Sequence, residues 1–130
     1  MLVKFKFSPS QINRYYDSAL KDFDIADKSE LPEVRFRFSY DCLIKLAITV
    51  CSHHGLRVKA RQGHHVELIK QLSTFLNNQD ILAMAEDMRS KRNYDLYGGG
   101  GIISSKETDM YLSFLKGVIK RVNKHIGRLM

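Results

Sequence analysis

Hydrophobic residues recur three and four positions apart along most of this chain, which is the spacing of amphipathic α-helices. A first helix is predicted to begin near Ser8, because a serine can cap a helix, Pro9 suits its first turn and Gln11 can complete a capping box. Leu31 and Pro32 interrupt the repeat and end this helix. The apolar or small residues on its predicted inner face are Ile12, Tyr15, Tyr16, Ala19, Phe23 and Ala26.

Four more helices are predicted after this break. The stretch from about Glu33 to His54 has apolar residues around more than one face, so we predict that it is the central and most buried helix, ended by Gly55. The fourth helix begins at about Asp80 and ends at the glycine run 98–101, and a second capping box at Ser104 starts the fifth. The predicted inner residues of the last three helices are Val66, Ile69, Leu72 and Phe75 or Leu76, then Ile81, Met84, Ala85 and Met88, then Tyr111, Leu115, Val118, Val122 and Ile126.

The predicted fold class is all-α, an antiparallel bundle of about five helices, because each apolar stripe must be covered by another helix. With 130 residues the chain fits one domain, predicted over residues 1–130 with an extended arm over residues 1–7, where apolar residues and lysines alternate. The longest apolar stretch near the middle, Leu46–Ser52, is far too short to cross a membrane, and the first residues do not resemble a secretory signal. We therefore expect a cytoplasmic protein with no membrane contact, in which Cys42 and Cys51 remain free thiols.

The formal net charge of +7 is unevenly distributed. A basic group formed by Arg89, Lys91 and Arg92 precedes the glycine run, and another group with no acidic residue occupies the end of the chain. Such groups attract phosphate-bearing partners by long-range electrostatic steering, although a solvated helix face that maintains solubility fits the terminal group equally well. The basic residues of the terminal group are Lys116, Lys120, Arg121, Lys124 and Arg128.

The segment 89–98 is the most specific part of the sequence. Near the end of the fourth predicted helix, Arg92 is followed by Asn93 and, a few positions later, by Tyr97. This order resembles the signature of the HEPN family, in which an arginine, often with a polar neighbour, precedes a histidine by a few positions; Tyr97 stands where that histidine is expected. A compact prokaryotic branch, in which a tyrosine at the motif end is familiar, is the better match. Between about Ser10 and Val122 the resemblance also includes Ala19, Asp22, Ala26, Tyr40, Gly55-Leu56-Arg57 and Gly63-His64-His65.

The resemblance implies an RNA- or nucleotide-binding homodimer whose site consists of Arg89, Arg92, Asn93 and Tyr97. Members of the family often cleave RNA without a metal in a cleft between two subunits, and in that case Arg92 and Tyr97 are the expected catalytic residues. Such proteins are often encoded beside a small nucleotidyltransferase-like partner and act as toxins of toxin–antitoxin pairs. The alternative function is a noncatalytic dimeric helical module that only holds a partner protein.

Arg92 and Tyr97 suit different parts of RNA chemistry. Guanidinium groups match phosphate oxygens and stay charged, so Arg92, with Arg89 close by, suits the negative charge that develops during cleavage. Tyrosine is a poor base at neutral pH because the ordinary pKa of its phenol is about 10; it can hydrogen-bond a phosphate, stack on a base or act as an acid. The missing motif histidine favours binding over cleavage unless another residue compensates. The structural alternative is that these arginines complete a helix end and pair with Asp87 or Asp95.

The two histidine pairs, His53-His54 and His64-His65, lie on either side of one predicted loop. Capping by one histidine and core packing by its neighbour is the simplest interpretation. Because no cysteine or carboxylate lies beside them at characteristic ligand spacing, we expect no metal site. A third interpretation is that His64 or His65 takes the place of the motif histidine, and the sequence leaves open whether they approach Arg92. The glycine run does not predict a phosphate-binding P-loop, because isoleucines follow it instead of lysine and then serine or threonine, and we expect no cofactor.

Overall fold

The computed structural model describes residues 2–97 and 103–127, with the backbone alone described for residues 94–97. The predicted all-α helical bundle is confirmed: five helices lie within these ranges, and a two-stranded sheet accompanies them. Within the described residues, no helix is long and apolar enough to span a membrane. In chain order the elements are β1 (Leu2–Lys4), α1 (Pro9–Lys28), α2 (Pro32–His53), β2 (Leu56–Val58), α3 (His64–Phe75), α4 (Gln79–Tyr97) and α5 (Ser105–His125).

Serine capping boxes start α1 and α5, as the sequence predicts. At α1 the Ser8 hydroxyl accepts from the Gln11 backbone N–H at 3.1 Å, and the Gln11 side chain accepts from the Ser8 N–H at 2.8 Å. The same exchange joins Ser104 and Glu107 at α5, with distances of 3.1 Å and 3.3 Å. Both helices therefore begin with hydrogen-bond partners for N–H groups that have none inside the helix.

α2 is the central helix of the bundle because its apolar residues surround more than one face. It packs against α1, α3, α4 and α5 and is buried along most of its length. Burial raises the pKa of the Cys42 and Cys51 thiols to about 12, so both stay protonated, and both are free of disulfides. Each fully buried aliphatic side chain contributes about 1.5–3 kcal/mol, which makes α2 a main source of stability. Its buried hydrophobic residues include Phe36, Tyr40, Leu43, Leu46, Ala47 and Val50.

The N-terminal arm contains a strand whose partner was not predicted. β1 pairs antiparallel with β2, with Val3 opposite Arg57 at the centre of the register. The Phe5 N–H continues the pairing by donating to the Gly55 carbonyl oxygen at 2.9 Å. Gly55 has φ +69°, a left-handed conformation that glycine adopts at little cost, and this lets the chain turn from α2 into β2. The predicted loop between the two histidine pairs thus includes the strand β2, which pairs with the N-terminal arm.

α4 follows the predicted pattern closely over its described length. It begins at Gln79, next to the predicted start at Asp80, and is described up to Tyr97. The glycine run 98–101 that was predicted to end it lies outside the described residues. The predicted inner residues that are buried on this helix are Ile81, Ala85 and Met88, and Met84 is half-buried.

Candidate functional site

A cleft of about 610 Å³ lies between the turn before α3 and the C-terminal half of α4. Three predicted site residues line it from α4, and His64 and His65 line it from the first turn of α3. The structure therefore brings the second histidine pair, His64 and His65, into the same cavity as the motif residues Arg92 and Asn93. The three residues from α4 are Arg89, Arg92 and Asn93, and the other lining residues are Ala60, Arg61, Gln62, Gly63 and Val66.

Tyr97, the fourth predicted site residue, is the last residue of α4. Its side chain lies outside the described part of the structure. The role of this tyrosine at the cleft therefore stays a prediction from the sequence.

Arg92 lies on the α4 face that packs into the bundle core, at the point where this face reaches the cleft. Ala85 and Met88 are buried on one face of α4, and Arg92 follows Met88 four positions later on that face. The Arg92 guanidinium carbon lies 5.3 Å from the ring centroid of Tyr40, a residue of α2 that is 1% exposed. This cation–π contact places a half-buried arginine on aromatic surface of the core while it still lines the cleft.

Tyr40 also connects α2 with the first turn of α3. Its hydroxyl forms a hydrogen bond with Nδ1 of His65 at a distance of 2.8 Å. Burial raises the pKa of Tyr40 to about 12, although Arg92 and Arg89 oppose the shift, so the hydroxyl is protonated at neutral pH. Burial lowers the pKa of His65 to about 4, with further contributions from His64 and the two arginines, so this imidazole is neutral.

Arg89 and Arg92 differ in their charge partners. The Arg89 guanidinium forms an ion pair with Glu86, with Nη2 3.0 Å and Nε 3.1 Å from the same carboxylate oxygen. Among the side chains that the structure describes, no carboxylate forms an ion pair with Arg92. Of the two predicted partners, Asp87 pairs with Lys91, and the side chain of Asp95 lies outside the described part of the structure. Of the two arginines that α4 contributes to the cleft, Arg92 is therefore the one with no described carboxylate partner to compete with an anion from outside.

A polar network holds α4 on α5 next to the cleft. The Lys91 ammonium donates to the Tyr111 oxygen at 2.6 Å and forms an ion pair with Glu107. The Tyr111 hydroxyl in turn donates to an Asp87 oxygen at 2.6 Å, and burial together with this bond raises the pKa of Tyr111 to about 12. Burial opposes the charged form of Lys91, but its hydrogen bonds to Glu107 and Tyr111 outweigh burial and raise its pKa. The acidic residues of the network balance the positive charge of Lys91. The network also fixes the helical turn that carries Arg92.

The first histidine pair lies in different surroundings, near the ends of α2 and α5. Nε2 of His54 is 2.7 Å from Nε2 of His125, and the His54 ring stacks on Phe75 with centroids 3.9 Å apart. Burial lowers the pKa of His54, with His125 and His53 adding to the shift, and burial and His53 lower the pKa of His125. In the described part of the chain, no group of three or more histidine, cysteine or acidic residues is placed to hold a metal ion.

The terminal basic group forms a second positive surface on α5. Its described members are all exposed on one helix, and none of them lines the cleft that contains Arg92. They are Lys116, Lys120, Arg121 and Lys124, and Arg128 lies outside the described residues. Such an open surface attracts polyanions but does not enclose them.

Sequence reasoning missed the residues that support the cleft. In the sequence, only the family resemblance pointed to Tyr40, although a tyrosine in the most buried helix requires a partner for its hydroxyl. That requirement was a usable signal for the contact with His65. The carbonyl oxygen of Arg61, which lies 2.8 Å from Nδ1 of His64, had no such signal because it depends on the conformation of the turn before α3.

No protein-family model matches this chain, and no curated protein or solved structure is significantly similar to it. The fold and the cleft define its class: over its described length it is an all-α protein with five helices and a basic cleft that contains histidines. The resemblance to the HEPN family rests on the motif positions in the sequence.

Proposed function

We propose that this chain is a HEPN-like helical domain that binds RNA or a nucleotide in the cleft between the turn 60–63 and α4. The observation that carries the proposal is the position of Arg92. Arg92 lines the cleft and forms no ion pair with a described carboxylate, whereas Arg89 and Lys91 are both paired. A guanidinium that has no described carboxylate partner and lies in a concave site is suited to phosphate, because its planar set of donors matches phosphate oxygens.

The shape and polarity of the cleft support the same ligand class. A volume of about 610 Å³ falls within the range of small-molecule sites and is large enough for a nucleotide. Arg61 and Asn93, which also line the cleft, have hydrogen-bond donors, and the first turn of α3 contributes the positive end of a helix dipole. Cations, amide donors and a helix N-terminus on one cavity favour an anionic ligand over a neutral one.

The resemblance extends this proposal beyond the cleft itself. It adds Tyr97 to the site, a second copy of the chain as partner, and a metal-independent endoribonuclease activity. It also implies a role as the toxin of a toxin–antitoxin pair with a nucleotidyltransferase-like antitoxin. These extensions rest on Arg92, Asn93 and Tyr97 in their motif order and on no contact in the structure.

Binding of a fluorescent single-stranded RNA, followed by anisotropy over a series of salt concentrations, tests the proposal. We expect Arg92→Ala to weaken binding by roughly tenfold or more, because one charge-assisted phosphate contact is worth about 1.5–3 kcal/mol. The matched control is Arg14→Ala, which removes the same charge from an exposed position on α1 outside the cleft. Equal losses in both variants would mean that net charge alone attracts the RNA. Absence of RNA and nucleotide binding by the unmodified protein would favour the noncatalytic interaction module.

A further inference from the structure

The two adjacent histidines of the cleft have different hydrogen-bond partners, and these partners determine which ring nitrogen is free. Nδ1 of His64 lies 2.8 Å from the backbone carbonyl oxygen of Arg61. A carbonyl oxygen can only accept, so Nδ1 of His64 carries a proton. In the neutral imidazole the lone pair is then on Nε2, on a half-buried side chain that lines the cleft.

His65 has the opposite arrangement. Its Nδ1 lies 2.8 Å from the Tyr40 hydroxyl, and a phenol is a stronger acid than a neutral imidazole, so the hydroxyl donates and Nδ1 accepts. The remaining proton of the neutral His65 is therefore on Nε2. The rings of His64 and His65 have centroids 4.4 Å apart, so an acceptor nitrogen and a donor N–H belong to neighbouring rings of one cavity.

We infer that His64 is the residue that accepts and returns a proton in this cleft, and that His65 is a hydrogen-bond donor to a bound phosphate, an assignment that rests on the RNA-binding function proposed above. The catalytic role that the resemblance assigns to the motif position, here Tyr97, thus belongs to His64 on α3. Tyr40 is a positioning residue, because it holds the ring of His65 through Nδ1 and supports Arg92 through its aromatic face. Among the described residues, the charged and titratable side chains that line the cleft around His64 are those of His65, Arg61, Arg89 and Arg92.

The chemistry that this arrangement supports is cleavage of a ribonucleotide phosphodiester by its own 2′-hydroxyl. With the phosphate on Arg92, Nε2 of His64 takes the 2′-hydroxyl proton as the 2′-oxygen bonds to phosphorus. The bond from phosphorus to the 5′-oxygen breaks, and the leaving oxygen takes a proton from water. The hydroxide formed in this way receives the proton from His64, which restores the neutral imidazole. The products are a 2′,3′-cyclic phosphate and a 5′-hydroxyl end.

The test measures RNA binding and RNA cleavage separately, in chelator, on the same preparations. Unmodified protein, His64→Ala, His64→Gln and the control His53→Ala are compared, since His53 lies outside the cleft. We expect both His64 variants to keep RNA affinity within about threefold and to lose cleavage by about 100-fold or more, the usual contribution of a general base. His53→Ala should cleave as the unmodified protein does, and added imidazole should partly restore His64→Ala. An RNA with 2′-deoxy linkages should bind without being cut.

The outcomes separate the two proposals. Loss of cleavage with retained binding in both His64 variants, together with cyclic phosphate ends in the products, supports the assignment. If the unmodified protein binds RNA but does not cleave it, or if His64→Gln cleaves at the unmodified rate, the assignment of His64 is wrong and the binding function stands. If the unmodified protein binds a nucleotide but no RNA, the assignment of His64 is wrong and the binding function stands; if it binds neither, both proposals are overturned.

Discussion

The hydroxyl of Tyr40 lies 2.8 Å from Nδ1 of His65, and this contact joins the most buried helix of the bundle to the first turn of α3. The same aromatic ring lies 5.3 Å from the guanidinium carbon of Arg92 on α4. A single core side chain therefore touches residues from both walls of the cleft. The position of the cleft residues depends on core packing and not only on the conformation of a surface turn.

Removing the Tyr40 hydroxyl should weaken the fold measurably. We expect Tyr40→Phe to lower the free energy of unfolding by about 1 kcal/mol, because the partly buried Nδ1 of His65 loses its partner while the ring packing is kept. Urea denaturation provides the measurement. Tyr15→Phe is the matched control, since Tyr15 is half-exposed, and it should stay within about 0.5 kcal/mol of the unmodified protein. Equal stabilities for Tyr40→Phe and the unmodified protein would show that the contact is not formed.

Protonation of His65 should make the fold sensitive to acid. Its pKa is lowered from 6.5 to about 4 by burial first and by the neighbouring positive charges second, so the unfolded chain binds the proton more readily. The stability contributed by neutral His65 is complete above pH 6.5 and is lost as the pH falls toward 4. We expect a loss of about 1–2 kcal/mol, roughly half of the full linkage value, because the side chain is only half-buried.

Denaturation curves across this pH range, compared between the unmodified protein and His65→Gln, provide the measurement. The variant should lose less stability on acidification because it cannot take up this proton. Part of the pH dependence of the free energy of unfolding should remain in the variant, since the pKa values of His54 and His125 are also lowered by burial and by their histidine neighbours. Identical pH slopes for the two proteins would contradict the account of His65.

The network between α4 and α5 should matter for stability more than its surface position suggests. In Tyr111→Phe, Lys91 loses an acceptor and Asp87 loses a donor, both at 2.6 Å. We expect a loss of about 1–2 kcal/mol in the free energy of unfolding. Lys106→Ala, at an exposed position in the first turn of α5, is a control for general changes in that helix. A thermal or urea midpoint for Tyr111→Phe equal to that of the unmodified protein would contradict the network.

The capping box of α5 provides a local prediction. Ser104→Ala removes the acceptor of the Glu107 N–H and should cost about 1 kcal/mol, the usual value for an N-cap serine. Ser105→Ala at the next position is the matched control and should be neutral or slightly stabilising, because Ser105 is exposed at the first position of α5 and alanine has the higher helix propensity. Chemical denaturation of the two variants side by side distinguishes a capping effect from a general effect of serine removal at this end of the helix.

The helices and the α4 wall of the cleft could be predicted from the sequence because both follow from periodicity and short-range signals. The two capping boxes depend on residues three positions apart, and Arg92 continues the stripe of Ala85 and Met88. A pattern of this kind predicts which residues share a helix face without knowledge of the tertiary structure.

The remaining features depend on tertiary contacts that leave little trace in a sequence. β1 and β2 have three residues each and lie far apart along the chain, so neither has a periodic signal strong enough to predict their pairing. The approach of His64 and His65 to Arg92 depends on the turn before α3, where Gly63 has φ +84°. Glycine at that position permits the turn but does not predict its direction.

The most direct test of the account is a heteronuclear NMR titration of the labelled protein with a short single-stranded RNA at moderate salt. If RNA binds in the cleft, the largest amide shift changes occur in residues 60–66 and in the part of α4 that carries Arg89, Arg92 and Asn93, and Arg92→Ala reduces them. Shift changes confined to the basic surface of α5, or absent from both walls of the cleft, would contradict it.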